Sequence, residues 1–164
     1  MIMALFQLHF HSQALRRHTY SKLYIPDGLM DAEASGHKCP VFCVLHDCGD
    51  SSSKILCNTL ITRYADQGGI ILVLPDGEDS AFEIMQYWDQ FADYVYKELP
   101  VYVNNVFQMC EEAVNWKYVG IGDSAASVVK RKAPLQGCGI CSKHNDWVSV
   151  DEELKKYFDN INCK

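Results

Sequence analysis

The residues with the clearest chemical potential lie in Tyr118-Val119-Gly120-Ile121-Gly122-Asp123-Ser124-Ala125-Ala126, where an apolar run passes directly into small residues. Read as Gly122-x-Ser124-x-Ala126, the segment nearly matches G-x-S-x-G, the signature of a serine held on a sharp strand-to-helix turn. Small neighbours have a steric purpose there, because side chains two positions either side of the serine would collide with the adjacent strand and helix. Such a turn lifts the hydroxyl above the carboxyl end of a sheet, where the helix N-terminus and the Ala125 N–H can stabilise a developing oxyanion. A helix cap accounts for Asp123-Ser124 equally well, since both residue types favour that position. Acyl transfer needs a second N–H donor at the end of an earlier strand. His46-Asp47-Cys48-Gly49 stands where that donor belongs, with an ordinary strand–helix loop as the alternative.

Other reactive residue types read as structural. Cys138-Gly139-Ile140-Cys141 is a C-x-x-C on a predicted strand, where alternation sends the two thiols to opposite faces. His37, Cys39, Cys43, His46 and Cys48 have zinc-ligand chemistry without zinc-finger spacing, so no metal is expected. His9 and His11 share one face of the first strand in metal-compatible geometry, and an exposed edge pair is the plainer account. Tyr87, Trp88, Phe91, Tyr94 and Tyr96 could line an acyl pocket, but packing of a helix against the sheet explains them. Asp76, Glu78 and Asp79 form an acidic loop at the carboxyl end of a strand, where open α/β sheets bind ligands. A solvated turn is the default there.

The elements that must position these groups follow from apolar periodicity. Met3–Phe10 and His18–Ile25 read as an antiparallel strand pair turned by Ser12–Arg17, with Pro26-Asp27-Gly28 closing the second strand. After a polar loop at Asp31–Lys38, Pro40–His46 is a continuous apolar run suited to a sheet buried on both faces. Ile55, Leu56, Leu60, Ile61 and Tyr64 recur at helical spacing up to Gly68-Gly69. Ile70–Leu74 is the next strand, stopped by Pro75-Asp76-Gly77, and the strand–helix–strand order demands a parallel sheet. Trp88–Phe107 keeps helical spacing, with Pro100 expected to kink or divide it. Lys117–Ile121 is a third central strand, Ser124–Lys132 a short helix, Cys138–Cys141 a fourth short strand and Asp151–Phe158 a closing helix.

Composition narrows the function classes. The chain has 164 residues, 48% apolar, enough for one core and one domain. Fifteen Lys and Arg against 21 Asp and Glu give a net charge of −6, and no basic block exceeds Lys130–Lys132, so nucleic acid is not an expected partner. No apolar run approaches the ~20 residues that span a bilayer. The N-terminus lacks the features of a secretory signal, and most of the eight cysteines lie in apolar stretches, so reduced thiols in the cytoplasm are expected.

Five landmarks occur in order: Phe10-His11-Ser12-Gln13-Ala14-Leu15, Pro40 to Asp47, Val73-Leu74-Pro75-Asp76-Gly77, Tyr87-Trp88 with Lys97-Glu98-Leu99-Pro100 and Phe107, and Gly122-x-Ser124. Together they resemble the tributyrin esterase branch of the esterase D family of α/β-hydrolases, over Met3 to about Ser142. The resemblance implies a serine carboxylesterase acting on short acyl esters without a cofactor. It implies Ser124 as nucleophile and the backbone N–H groups of Cys48 and Ala125 as oxyanion donors.

The pattern also departs from that family. An acid and then a histidine should follow the serine on later loops. Only 40 residues follow Ser124, and His144 with Asp146 or Asp151 comes too soon and in reverse order, so a working triad from them is not expected. The family's His-Gly is His46-Asp47 here, and its glycine pair after the nucleophile is Ala126-Ser127. The helix reaches Pro134 early. The expectation is a single α/β-hydrolase domain over residues 1–164, mostly parallel with an N-terminal antiparallel pair, truncated after about the sixth strand. Its activity is either esterase chemistry through Ser124 or, as a silent domain, binding or self-association through the sheet edge left bare.

Overall fold

The computed structural model describes residues 4–26, 28–29, 38–83, 90–108, 110–130, 136–140 and 146–162. Met3, Asp31–His37, Tyr87, Trp88, Pro134, Cys141 and His144, all used in the sequence reading, lie outside them.

Six strands form one sheet: β1 (Ala4–Ser12), β2 (Arg17–Ile25), β3 (Val41–Leu45), β4 (Ile71–Pro75), β5 (Lys117–Ile121) and β6 (Gln136–Ile140). The spatial order is β1-β2-β4-β3-β5-β6, with β1/β2 and β2/β4 antiparallel and the rest parallel. β3 and β4 are buried at every position, as their unbroken Val, Ile, Leu, Phe and Cys content demands. β1 alternates between partly buried and exposed residues, because one of its faces meets solvent. This is the α/β-hydrolase arrangement, with the expected antiparallel pair at the N-terminus.

Helices cover both faces. The first cluster packs Leu23, Cys43, Val73 and Trp116 against Phe91, Tyr94, Val95, Leu99 and Val103. On the other face, Phe42, Val44, Leu72 and Val119 meet Ile55, Ile61, Tyr64, Leu154 and Phe158. Each large aliphatic or aromatic side chain so buried contributes about 1.5–3 kcal/mol.

The structure corrects several predicted helices. The stretch ending at Gly68 is two helices, α1 (Ser52–Asn58) and α2 (Ile61–Gly68). Thr59 lies between them in extended conformation, and its N–H at 3.1 Å and its Oγ1 at 2.7 Å both donate to the Ile55 carbonyl, which closes the last turn of α1. Pro100 does not break its helix. α3 (Phe91–Asp93) runs through a π-helical turn, Tyr94–Glu98, into α4 (Leu99–Val106), and the Leu99 N–H reaches back five residues to the Tyr94 carbonyl. The wider turn accommodates a residue without an N–H at the second position of α4. α5 spans Asp123–Lys130, and α6 is longer than predicted, Trp147–Asn162. Its extra first turn is capped by Asp146, whose Oδ1 accepts from Ser149 N at 3.3 Å.

β3 sits beside β5 with Leu45 opposite Gly120, so the loop after β3 and the bend after β5 emerge side by side at the carboxyl end of the sheet.

Candidate active site

The bend between β5 and α5 is made by Gly122, not by Ser124. Gly122 has φ +60°, the left-handed region that glycine enters freely. Two residues before it, a Cβ on Gly120 would lie 2.4 Å from the Ser124 carbonyl oxygen, so strand and helix backbones touch across the turn. Positions 120 and 124 are therefore the small-residue flanks of the elbow, and position 122 is where a nucleophile would stand. The frame Gly122-x-Ser124-x-Ala126 is displaced by two residues from the geometry, which is Gly120-x-Gly122-x-Ser124.

Ser124 points inward. It is 0% exposed, on the first turn of α5, and its Oγ donates to the His46 carbonyl oxygen at 2.5 Å. The expectation of a hydroxyl projecting from the bend is corrected: Ser124 ties α5 to the end of β3. Ala125 is also committed elsewhere, because its N–H donates to the Gly122 carbonyl at 3.0 Å within the helical turn. The amide that follows the bend belongs to Asp123.

Asp123 N and Cys48 N both donate to one oxygen, Oδ1 of Asp47, at 2.7 and 2.9 Å. An N–H just past the bend and an N–H from the loop after β3 are the pair that would hold an oxyanion. Here the charge between them is the chain's own carboxylate. Asp47 fills the space above Gly122 closely enough that a Cβ there would meet its Cγ at 2.1 Å. The α5 N-terminus adds a favourable field for that carboxylate.

Neighbouring groups close the site further. Gly49 N donates to Asp79 Oδ1 at 2.7 Å, and Asp50 N to the Asp47 carbonyl at 3.1 Å. The His46 ring is fully engaged: Gly77 N–H donates to Nε2 at 2.9 Å, which leaves the hydrogen on Nδ1 to be donated to the Asp47 carbonyl at 2.7 Å. Phe82 lies edge-on to His46 at 5.1 Å and stands where any Cβ on Gly77 would go. Cys48 is no substitute nucleophile. Burial pushes its thiol pKa up, a hydrogen bond with the Ala81 backbone opposes that rise, and the carboxylates of Asp123 and then Asp47 add to it.

The remaining candidates take structural places. Asp76 accepts from Ser52 N and Ser52 Oγ at 2.8 and 3.0 Å and anchors the start of α1. Glu78 pairs with Arg17 at 3.2 Å on the surface. Phe91 and Tyr94 are core residues. Cys39 and Cys43 are buried in the core, and Cys138 lies on β6. Among the described residues no group of three or more His, Cys, Asp or Glu forms a ready-made metal site, and no helix is long and apolar enough to cross a membrane.

The signal for Asp47 was present in sequence as a charged residue where glycine was expected. Its partners were not.

No family model matches the sequence, and no curated protein matches it at a significant level. Solved structures do match. A substrate-bound fluorophosphonate-binding serine hydrolase of Staphylococcus aureus superposes with a TM-score of 0.69 at 20% identity, over 78% of this chain and 51% of that one. An S-formylglutathione hydrolase of the same organism gives 0.66 at 20% identity, over 79% and 52%. A ferulic acid esterase gives 0.68 at 12% identity, over 99% and 70%. The fold is thus the α/β-hydrolase fold, and the chain spans about half the length of the first two structures.

Proposed function

We propose that the chain is an esterase-type α/β-hydrolase domain whose acyl-transfer site is shut by its own Asp47, so that it acts by binding or self-association and not by ester cleavage. The observation that carries this reading is the bridging of the Cys48 and Asp123 amides by Asp47 Oδ1 beside a glycine at the bend. A tetrahedral intermediate would have to displace a carboxylate from the two donors that stabilise it, and the residue at the elbow has no side chain to form the acyl-enzyme. The edge of β6, whose described partner is β5 alone, is the surface for such association. The buried thiols of Cys39, Cys43 and Cys110 suit a reducing, cytoplasmic setting.

The fold of the serine hydrolases and esterases above favours a second reading: hydrolysis of short-chain acyl esters, of the tributyrin type, through an acyl-Ser124 intermediate. It requires Ser124 to leave its buried bond to His46 O. Fluorophosphonate labelling and p-nitrophenyl butyrate turnover decide between the two. The shut site predicts neither in the wild type; labelling and turnover that vanish in Ser124→Ala would overturn it.

A further inference from the structure

The outer face of the β1–β2 hairpin gathers three histidines that the hydrolase site does not use. Side chains alternate along a strand, so His9 and His11 emerge together on the exposed face of β1. The antiparallel register sets His18 of β2 directly opposite His11, and Tyr20 opposite His9, which leaves His9 and His18 diagonal neighbours. The ring centroids are 5.0 Å apart for His9 and His18, and 5.3 Å for His11 and His18. A tetrahedral ion bonded at about 2.0–2.1 Å to imidazole nitrogens holds its ring centres roughly 5 Å apart. The backbone therefore already supplies that spacing between His18 and each of the other two. Tyr20 stacks on His9, centroids 4.4 Å apart and planes 10° from parallel, and keeps that ring over the same face.

We propose that His9, His11 and His18 bind one divalent transition metal of the imidazole-preferring class, such as Ni2+ or Zn2+, with solvent completing its coordination. The three rings are not yet converged on a point, in keeping with the lack of a ready-made cage among the described residues. Convergence takes only rotation of exposed side chains between staggered wells. Two ligands come from β1 and one from β2. β1 is the terminal strand of the described sheet and pairs with β2 alone, so a bound ion clips the edge strand to its neighbour. Because the unfolded chain lacks this spacing, the ion stabilises the folded hairpin by mass action.

The test is calorimetric titration of Ni2+ into the wild type and into His9→Gln, His11→Gln, His18→Gln and His144→Gln, with circular dichroism to confirm that each variant keeps the fold. The expected result is one bound ion with a dissociation constant in the micromolar range, an affinity at least tenfold weaker in each of the first three variants, and no change in His144→Gln. Amide exchange along β1 should slow when Ni2+ is added to the wild type. No saturable site in the wild type, unchanged binding in any of the three hairpin variants, or loss of binding in His144→Gln would overturn the proposal.

Discussion

Oδ1 of Asp47 lies 2.7 Å from the amide nitrogen of Asp123, across 76 residues of sequence. That contact joins the loop after β3 to the first residue of α5, and it places a carboxylate over the bend at Gly122. The two positions are coupled by space as well as by charge, since any side chain at 122 must share the volume that Asp47 holds.

Gly122→Ala should therefore destabilise the chain by about 2–4 kcal/mol, from a left-handed backbone that alanine resists and from overlap with Asp47. In an Asp47→Gly background the overlap is gone, and only the backbone penalty, roughly 1–2 kcal/mol, remains. A double-mutant cycle by urea denaturation should give a coupling energy of at least about 1 kcal/mol. Strict additivity would show that the two residues do not meet.

Ser124 is fully buried, whereas Cys57 is exposed. In Ser124→Cys, a near-isosteric change, iodoacetamide under native conditions should modify Cys57 and leave the introduced thiol unmodified, as mapped by mass spectrometry. Rapid modification at 124 would return the hydroxyl to the surface and reopen the case for an acyl-serine. Ser124→Ala should cost about 1–2 kcal/mol, because the His46 carbonyl loses its buried donor.

Glu98, at the end of the π-helical turn, holds the β1–β2 connection with one carboxylate. It accepts from Ser12 Oγ at 2.5 Å, Gln13 N at 2.6 Å and Ala14 N at 3.3 Å. Glu98→Ala should lower stability by about 2–3 kcal/mol and speed amide exchange at Gln13 and Ala14. Glu98→Gln, which retains one acceptor oxygen, should lose less. Equal losses in the two variants would contradict the hydrogen-bonded role.

Base should destabilise the protein through its buried tyrosines. Burial, and then the hydrogen bond to Asp151, push Tyr64 up to about 12; Tyr157 is raised to about 12 by burial and then Cys138; Tyr94 and Tyr118 are raised further by burial. The folded state keeps protons that the unfolded chain releases from about pH 10 upward. This contribution to stability is thus complete below about pH 10 and falls as pH climbs to about 12 and beyond. Denaturation midpoints measured across that range should drop steeply, and less steeply in Asp151→Asn, where Tyr64 loses the carboxylate at 2.8 Å. A flat profile would refute the burial of these phenols.

The apolar runs at Val41–Leu45, Ile71–Leu74 and Tyr118–Ile121 were legible as strands because a parallel sheet buried on both faces leaves no polar alternative at those positions. The antiparallel pair was legible from its turn residues. Helix boundaries were less so. The break at Thr59 depends on its extended backbone, the continuity through Pro100 on the π-helical turn that precedes it, and the first turn of α6 on a β-prone Val148-Ser149-Val150 that tertiary packing holds as helix.

Sequence alone determined that a parallel sheet would end in two loops bearing small, polar residues, because hydrophobic period and glycine content are local properties of the chain. It could not determine which residue of Gly120-Ile121-Gly122-Asp123-Ser124 turns the corner, since glycines at both 120 and 122 permit either frame. The tertiary structure decided that by bringing the Ser124 backbone against Gly120 and by sending the Ser124 hydroxyl to His46. It also decided the fate of the two amides, which Asp47 reaches only because β3 and β5 are neighbours in space. Hydrogen-bond partners so distant along the chain carry no periodic signature, so the closing of this site is a fact of three dimensions.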